Sequence, residues 1–178
     1  MTVYFYDENL QEEAQEFTLL IYCENVPGVT SHISNLFSRI GVNITSLIGA
    51  SSEDHHVYRV IIKCLATPNE LEKIVKHVNK LINIIEVKAS LTTEFIEYEM
   101  SLIRMTCSRE NYQELLKICE HFHGKILRYD QDQIVLTLSE APEKMPTILR
   151  LLEHLGDLEI VNSGVAVMEK KRNRAFAR

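Results

Sequence analysis

This chain has no paired cysteines, no basic excess and no long apolar run, and each absence removes a class of protein. The four cysteines, at 23, 64, 107 and 119, form no C-x-x-C pair, and each sits in an apolar stretch such as Val60-Ile-Ile-Lys-Cys64-Leu. They read as buried free thiols of a reducing compartment, not as a disulfide framework or a zinc site. Acidic residues outnumber basic ones, 25 to 19, for a formal charge of -6. A body of that sign lacks the basic patch that attracts nucleic acid. No apolar run approaches the roughly 18 residues of a membrane-spanning helix. The N-terminus shows no basic-then-apolar secretory pattern. The expected setting is cytoplasmic, with no nucleic-acid and no membrane partner.

Catalytic signatures are missing as well. There is no G-x-S-x-G, no G-x-G-x-x-G and no Walker loop, so no catalytic residue is assigned. His55-His56 falls on a predicted turn, and His121-Phe-His123 straddles a helix end. No His-x-x-x-His pair or nearby Cys completes a metal set, so they read as solvated histidines and no metal is expected. The basic end, Glu169 to Arg178, reads as a solvated tail available to a protein partner.

What the sequence does carry is one pattern, written twice. After an acidic arm with Asp7, Glu8, Glu12, Glu13 and Glu16, the run Phe17 to Cys23 is short, β-rich and apolar on both faces, which suits a central strand. Asn25-Val-Pro-Gly28 punctuates it. Val29, Ile33, Leu36, Phe37 and Ile40 recur at helical spacing until Gly41 stops the helix. Val42 to Ile48 and Tyr58 to Cys64 follow as strands around a polar turn. The second of these turns Tyr58, Val60, Ile62 and Cys64 to one face and Arg59, Ile61 and Lys63 to the other. Thr67-Pro-Asn-Glu70 predicts a capped helix start, ahead of the stripe Leu71, Ile74, Val75, Val78 and Leu81. Ile84 to Lys88 closes the unit as a strand.

Strand Met100 to Cys107 restarts the order. Ser108 is the expected cap of a helix whose inner face is Tyr112, Leu115, Leu116, Cys119 and Phe122, ended by Gly124. Strands at Lys125 to Tyr129 and Gln133 to Leu138 meet at the turn Asp130-Gln-Asp132. Pro142 is expected to open a helix carrying Met145, Ile148, Leu149, Leu152 and Leu155, and residues 158–168 form the last strand.

The order β-α-β-β-α-β in each half is that of a ferredoxin-like sheet with two helices on one face. The predicted fold class is α+β: two consecutive ferredoxin-like domains. The divisions read as arm 1–16, first domain 17–89, linker 90–97, second domain 98–169 and basic tail 170–178. A unit of about 70 residues leaves a sheet face or edge to be covered, which points to a homodimer.

One stretch offers chemistry. Glu24-Asn-Val-Pro-Gly-Val29 joins the first strand to the first helix, where free N–H groups and the helix dipole favour an anion such as an amino-acid carboxylate. Gly28 lets the backbone approach a ligand, and Asn43 offers an amide donor and acceptor. The same residues read equally well as a tight turn with an Asn cap and a Gly placed for its φ angle.

These residues also carry a resemblance. The loop, followed by Leu36-Phe-Ser-Arg-Ile-Gly-Val-Asn-Ile-Thr-Ser-Leu47, resembles the opening of acetolactate synthase small subunits, with their N-x-x-G loop and F-x-x-R-G-[YF]-N-I-x-S-L stretch. Arg59 matches the Arg of that family's third strand and Thr67 to Val78 its second helix; a weak likeness extends to Ile160-Val-Asn-Ser-Gly-Val165. The resemblance implies a regulatory, non-catalytic chain. Its N-terminal ACT domain would dimerise and bind a branched-chain amino acid, valine first, at the dimer interface. Its C-terminal domain would be ACT-like. Carried over residue by residue, the effector site is Asn25, Gly28 and Val29 of one chain with Asn43 and Ile44 of the other. The implied partner is a catalytic large subunit, activated and made feedback-sensitive by this one. Thiamine diphosphate, Mg²⁺ and FAD are expected only in that partner, with no cofactor in this chain. Thr30 stands where the family has Leu, and Asn162 where an R-[ST]-G motif has Arg. The alternative is a stand-alone ACT-type sensor or dimerisation module without a synthase partner.

Overall fold

The computed structural model describes residues 13–130 and 132–170, and the backbone of 3–5; most of the acidic arm, Gln131 in its predicted turn and residues 171–178 of the basic tail lie outside the described residues. The chain forms two compact units, residues 1–96 with 168–178, and residues 97–167. The first contains β1 (Val3–Phe5), β2 (Gln15–Glu24), α1 (Val29–Ile40), β3 (Ile44–Ser51), β4 (Val57–Ala66), α2 (Pro68–Val78) and β5 (Ile84–Leu91). Its sheet runs β1-β5-β2-β4-β3, so β2 is central and β3 is an edge.

β2 earns its position by being apolar on both faces. Phe17, Leu19, Ile21 and Cys23 point to the helices and are fully buried, while Thr18 and Leu20 are buried on the opposite face. The helices close the first face with Val29, Ile33, Leu36 and Phe37 from α1 and Leu71, Ile74, Val75 and Val78 from α2. Gly41 ends α1 at φ 82, its N–H bonded to the Phe37 and Ser38 carbonyls. At the start of α2, Thr67 and Glu70 form a reciprocal capping box. The Glu70 carboxylate accepts from the Thr67 N–H at 2.8 Å and hydroxyl at 3.0 Å, and Thr67 Oγ1 accepts from the Glu70 N–H at 3.3 Å.

The second face is not simply polar. Ile61 and Lys63 are buried there, with Lys63 Nζ 3.8 Å from Glu16. The hydroxyls of Thr18 and Thr92 lie 3.0 Å apart, and Lys88 pairs with Glu169 at 3.0 Å. Residues 90–97, read from sequence as a linker, are structured: β5 runs to Leu91, a 3-10 turn takes Thr92–Glu94, and β6 begins at Phe95. Burial of Ser90 and Phe95 explains it, since both are committed to packing. The arm, read as an acidic lead-in, contributes β1, and β2 starts two residues before the expected Phe17.

The second unit repeats the plan with β6 (Phe95–Thr106), α3 (Tyr112–His121), β7 (Lys125–Asp130), β8 (Gln133–Glu140), α4 (Met145–Glu153) and β9 (Leu158–Glu169), in sheet order β7-β8-β6-β9. This is the same order as β3-β4-β2-β5 of the first unit, so both four-stranded antiparallel cores have the ferredoxin-like order that the sequence predicts. Ile103, Met105, Leu115, Cys119, Ile134, Leu136, Ile148 and Leu152 form its core.

Local details of this unit correct the sequence reading. Ser108 does not cap α3; its hydroxyl takes the Asn111 N–H at 3.3 Å, one turn ahead of the helix. Pro142 lies in the turn before α4, and Pro146 occupies the first helical turn instead. The left-handed residue beyond α3 is His123, at φ 54, not Gly124. A Cβ at Gly124 would lie 2.6 Å from Leu138 Cδ2, so that buried side chain would have to shift to admit one. Ile118, not Leu116, packs against the core. Asn162 accepts the hydroxyl of fully buried Ser101 at 2.8 Å, which gives this residue a structural use of its own.

Removing the capping box tests these assignments. Thr67→Ala should cost about 1 kcal/mol in denaturant unfolding. The Thr67 N–H and hydroxyl hold the Glu70 carboxyl below its ordinary range. Its stabilisation is therefore present above the unfolded-state value and lost as pH falls through the folded one. The stability gap between wild type and Glu70→Gln should accordingly be open at neutral pH and close in acid.

Candidate effector site

The family resemblance points to five residues: Asn25, Gly28, Val29, Asn43 and Ile44. The first three occupy the loop between β2 and α1, and hydrogen bonds fix that loop on both sides. The Glu24 N–H bonds the Asn83 carbonyl at 2.8 Å, and Asn83 Nδ2 returns to the Glu24 carboxylate at 2.8 Å. On the other side, the Asn25 N–H bonds the His56 carbonyl at 2.9 Å and Asn25 Nδ2 donates to the His55 carbonyl at 3.1 Å. The His55–His56 turn is itself closed by the Asp54 carboxylate, which accepts from the His56 N–H at 2.9 Å. By sequence alone these histidines read as solvated turn residues. Their backbone carbonyls, not their rings, hold the loop.

Gly28 has φ 88 and ψ -11 as the residue before α1, with no side chain to cap it. A Cβ placed there would meet nothing within 4 Å. The backbone needs a left-handed residue here, and the space a side chain would take is open. The first helical bond runs from the His32 N–H to the Gly28 carbonyl at 3.0 Å, and the Val29 N–H has only a 3.5 Å contact to Val26. The Thr30 and Ser31 N–H groups have no bond to another described residue, as expected of a helix start. The Val29 side chain is 6% exposed and belongs to the core, so only its backbone N–H faces the loop.

Asn43 and Ile44 lie far from this loop. Asn43 is exposed just ahead of β3, and Ile44 packs at the margin of the core. Cys23 is opposite Tyr58 on β4, while Ile44 is opposite Cys64. From Tyr58 to Cys64 along β4 is about 20 Å at the ~3.4 Å rise of an antiparallel strand. Within one chain the two halves of the candidate site stand at opposite ends of the sheet. β3 itself is tightly seated, because Tyr58 lies over Gly49 so closely that a Cβ there would be 2.2 Å from the Tyr58 hydroxyl. A separate groove of about 740 Å³ follows the exposed side of α1, lined by His32, Asn35, Ser38, Arg39 and Leu81, and includes none of the five residues.

Among the described residues no three His, Cys, Asp or Glu side chains gather as around a metal ion. No described helix is long and apolar enough to cross a membrane. All four cysteines are free and buried. Burial pushes their thiols up, Cys64 to about 12 with Glu16 and Glu70 adding to the effect. These thiols stay protonated near neutral pH and are packing groups, not nucleophiles.

Two ferredoxin-like units, with an Asn-x-x-Gly loop opening the first helix, have the architecture of the ACT-domain class. Comparison with known proteins gives the family. Residues 19–86 match the AHAS small subunit-like ACT domain, and residues 98–171 match the small subunit of acetolactate synthase. The acetolactate synthase small subunit of Mycolicibacterium smegmatis is 31% identical over 153 residues, 86% of this chain and 90% of that one. A probable acetolactate synthase small subunit of Archaeoglobus fulgidus is 28% identical over 151 residues, 85% and 94% of the two chains. The crystal structure of the acetolactate synthase small subunit from Thermotoga maritima superposes with a TM-score of 0.80 at 28% identity, covering 89% of this chain and 99% of that one. The chain belongs to the acetolactate synthase small-subunit family, and it is a regulatory, non-catalytic subunit.

The loop geometry makes two substitutions separable. Asn25→Ala breaks the tie to the His55 turn and should cost about 0.5–1.5 kcal/mol, with faster amide exchange confined to residues 24–29 and 52–57. Gly28→Ala clashes with nothing but should cost roughly 1–2 kcal/mol through its left-handed backbone, read as a lower denaturation midpoint at unchanged slope.

Proposed function

We propose that this subunit binds a branched-chain amino acid, valine first, between two copies of itself, and through that binding sets the activity of a catalytic large subunit. The reading rests on one observation above all: the two halves of the candidate site lie about 20 Å apart in one chain, at opposite ends of an edge strand. An antiparallel two-fold pairing of β3 edges would bring the Asn43 end of one strand to the Ser51 end of its partner. From Ser51 the chain enters the 52–57 turn that holds Asn25. The loop of one copy and Asn43 of the other then face each other, once on each side of the two-fold axis.

In that site the ligand carboxylate sits on the free N–H groups at the start of α1, where donors and helix dipole coincide. Asn43 holds the polar end, and Ile44 lines the apolar part. Val29 contributes its N–H, since its side chain is committed to the core. Thr30 puts a hydroxyl where the family has an alkyl group, which weakens the hold on an aliphatic ligand. Thiamine diphosphate, Mg²⁺ and FAD belong to the catalytic partner in this account, and the complex works in the cytoplasm.

Calorimetric titration with valine, leucine and isoleucine tests the reading. Loss of a hydrogen bond to a charged group costs about 1.5–3 kcal/mol, so Asn43→Ala should weaken binding about 10- to 150-fold. Glu72→Ala on the outer face of α2 should leave it unchanged. Valine should also lower the acetolactate output of the reconstituted large subunit, and Asn43→Ala should relieve that inhibition while still activating. No heat from any of the three amino acids at millimolar concentration would end the proposal.

A further inference from the structure

The open edge of β3 has a covered counterpart at the other side of the same sheet, and we infer that β1 is an edge guard. By occupying Lys88–Ser90 of the β5 edge and leaving too short a stretch for a full ladder, it confines sheet-to-sheet pairing between copies to β3. The strand runs parallel to β5, with Val3, Tyr4 and Phe5 opposite Lys88, Ala89 and Ser90. Those residues lie ahead of the part that matches the family, which begins at residue 19.

Without β1 the four-stranded sheet would present two edges, β5 and β3. An edge strand is a row of unpaired N–H and C=O groups that templates another chain. Two different open edges on one sheet allow β3 of one copy to pair with β5 of the next, a head-to-tail contact that repeats without closing. With β1 in place that side of the sheet ends in a three-residue strand, too short to template another chain, so β3 is the one long edge and a two-fold pair consumes it. The β5 edge needs such protection. Ile84–Leu91 is eight residues long, contains no proline, and is regular alongside β2 from Val87 to Leu91. Its one lysine, the residue type that most often deters edge pairing, is Lys88, and that charge is engaged by Glu169 at 3.0 Å. β3 carries no charged residue in Ile44–Ser51, so nothing on it repels a second copy. The run Thr2-Val-Tyr-Phe-Tyr6 is built of residue types that favour strands. Three residues of ladder give only a few net hydrogen bonds, each about 0.5–1.5 kcal/mol, so the guard is weak and its removal leaves the unit's core in place.

The inference draws on the proposed function only for the β3 pair, and its test separates the two. Sedimentation of the full chain across the micromolar range should reach a mass plateau. A chain beginning at Glu13, and a full-length variant with Val3→Pro, Tyr4→Pro and Phe5→Pro, should both keep growing past that plateau as concentration rises. If the full chain is a monomer, the two-chain site falls, yet growth of both variants beyond it still upholds the guard. Both variants stopping at the full chain's mass would overturn it. A second reading needs no variant: amides of Lys88–Ser90 in the intact chain should all resist hydrogen exchange. Alternate amides exchanging at the rate of an open edge would equally overturn the proposal.

Discussion

The antiparallel ladder between β2 and β4 is the constraint to which everything else in the first unit refers. It pairs Gln15 with Ala66 and continues unbroken to Glu24 with Val57. A slip of one residue would turn Phe17, Leu19 and Ile21 out of the helix-covered core. At about 1.5–3 kcal/mol per large apolar side chain, that forfeits roughly 5–9 kcal/mol, comparable with the whole stability of a domain at about 5–15 kcal/mol. The register is therefore fixed by burial, and burial on both faces leaves β2 no freedom to exchange sides.

A fixed register works as a ruler. It sets the Asn25 loop at one end of the sheet and Asn43 at the other, and no side-chain movement spans that gap. At the loop end, Asn83 on one flank and the His55–His56 carbonyls on the other leave the start of α1 little room to shift. A helix start held this way presents its N–H groups in a constant geometry, which is what an effector site asks of a scaffold. On the proposed function, the chemistry is preorganised in halves and assembly of the halves falls to contact between copies. The second unit shares the topology but has no Asn-x-x-Gly loop at the equivalent turn, where the chain reads Ser108-Arg-Glu-Asn111.

Much of this was legible in the sequence because hydrophobic period reports directly on burial. The stripes of α1 and α2 and the two-sided character of β2 are written in residue spacing. Where spacing is degenerate, the reading failed. Leu116 and Ile118 both lie three or four residues from members of the α3 stripe, and only the sheet beneath selects Ile118. Ser108, Pro142 and Gly124 each have the right chemistry for a helix end but sit a turn or a residue from where the chain changes direction, since capping depends on φ and ψ more than on residue type. The tie from Asn25 to His55 joins residues thirty apart through a carbonyl, and any residue type could have supplied it. β1 was hidden by the acidic residues that follow it in the arm.

Subunit exchange between two defective variants tests directly whether the effector site is built from two chains. Purified Asn25→Ala and Asn43→Ala subunits, each defective in valine binding, should be mixed in equal amounts, allowed to exchange, and titrated with valine. A two-chain site regenerates one intact site in every mixed dimer. Half the dimers are mixed at random exchange, so wild-type affinity should return at about a quarter of the wild-type stoichiometry. A mixture that binds no better than its two components would place the site within one chain, or nowhere on these residues, and contradict the account.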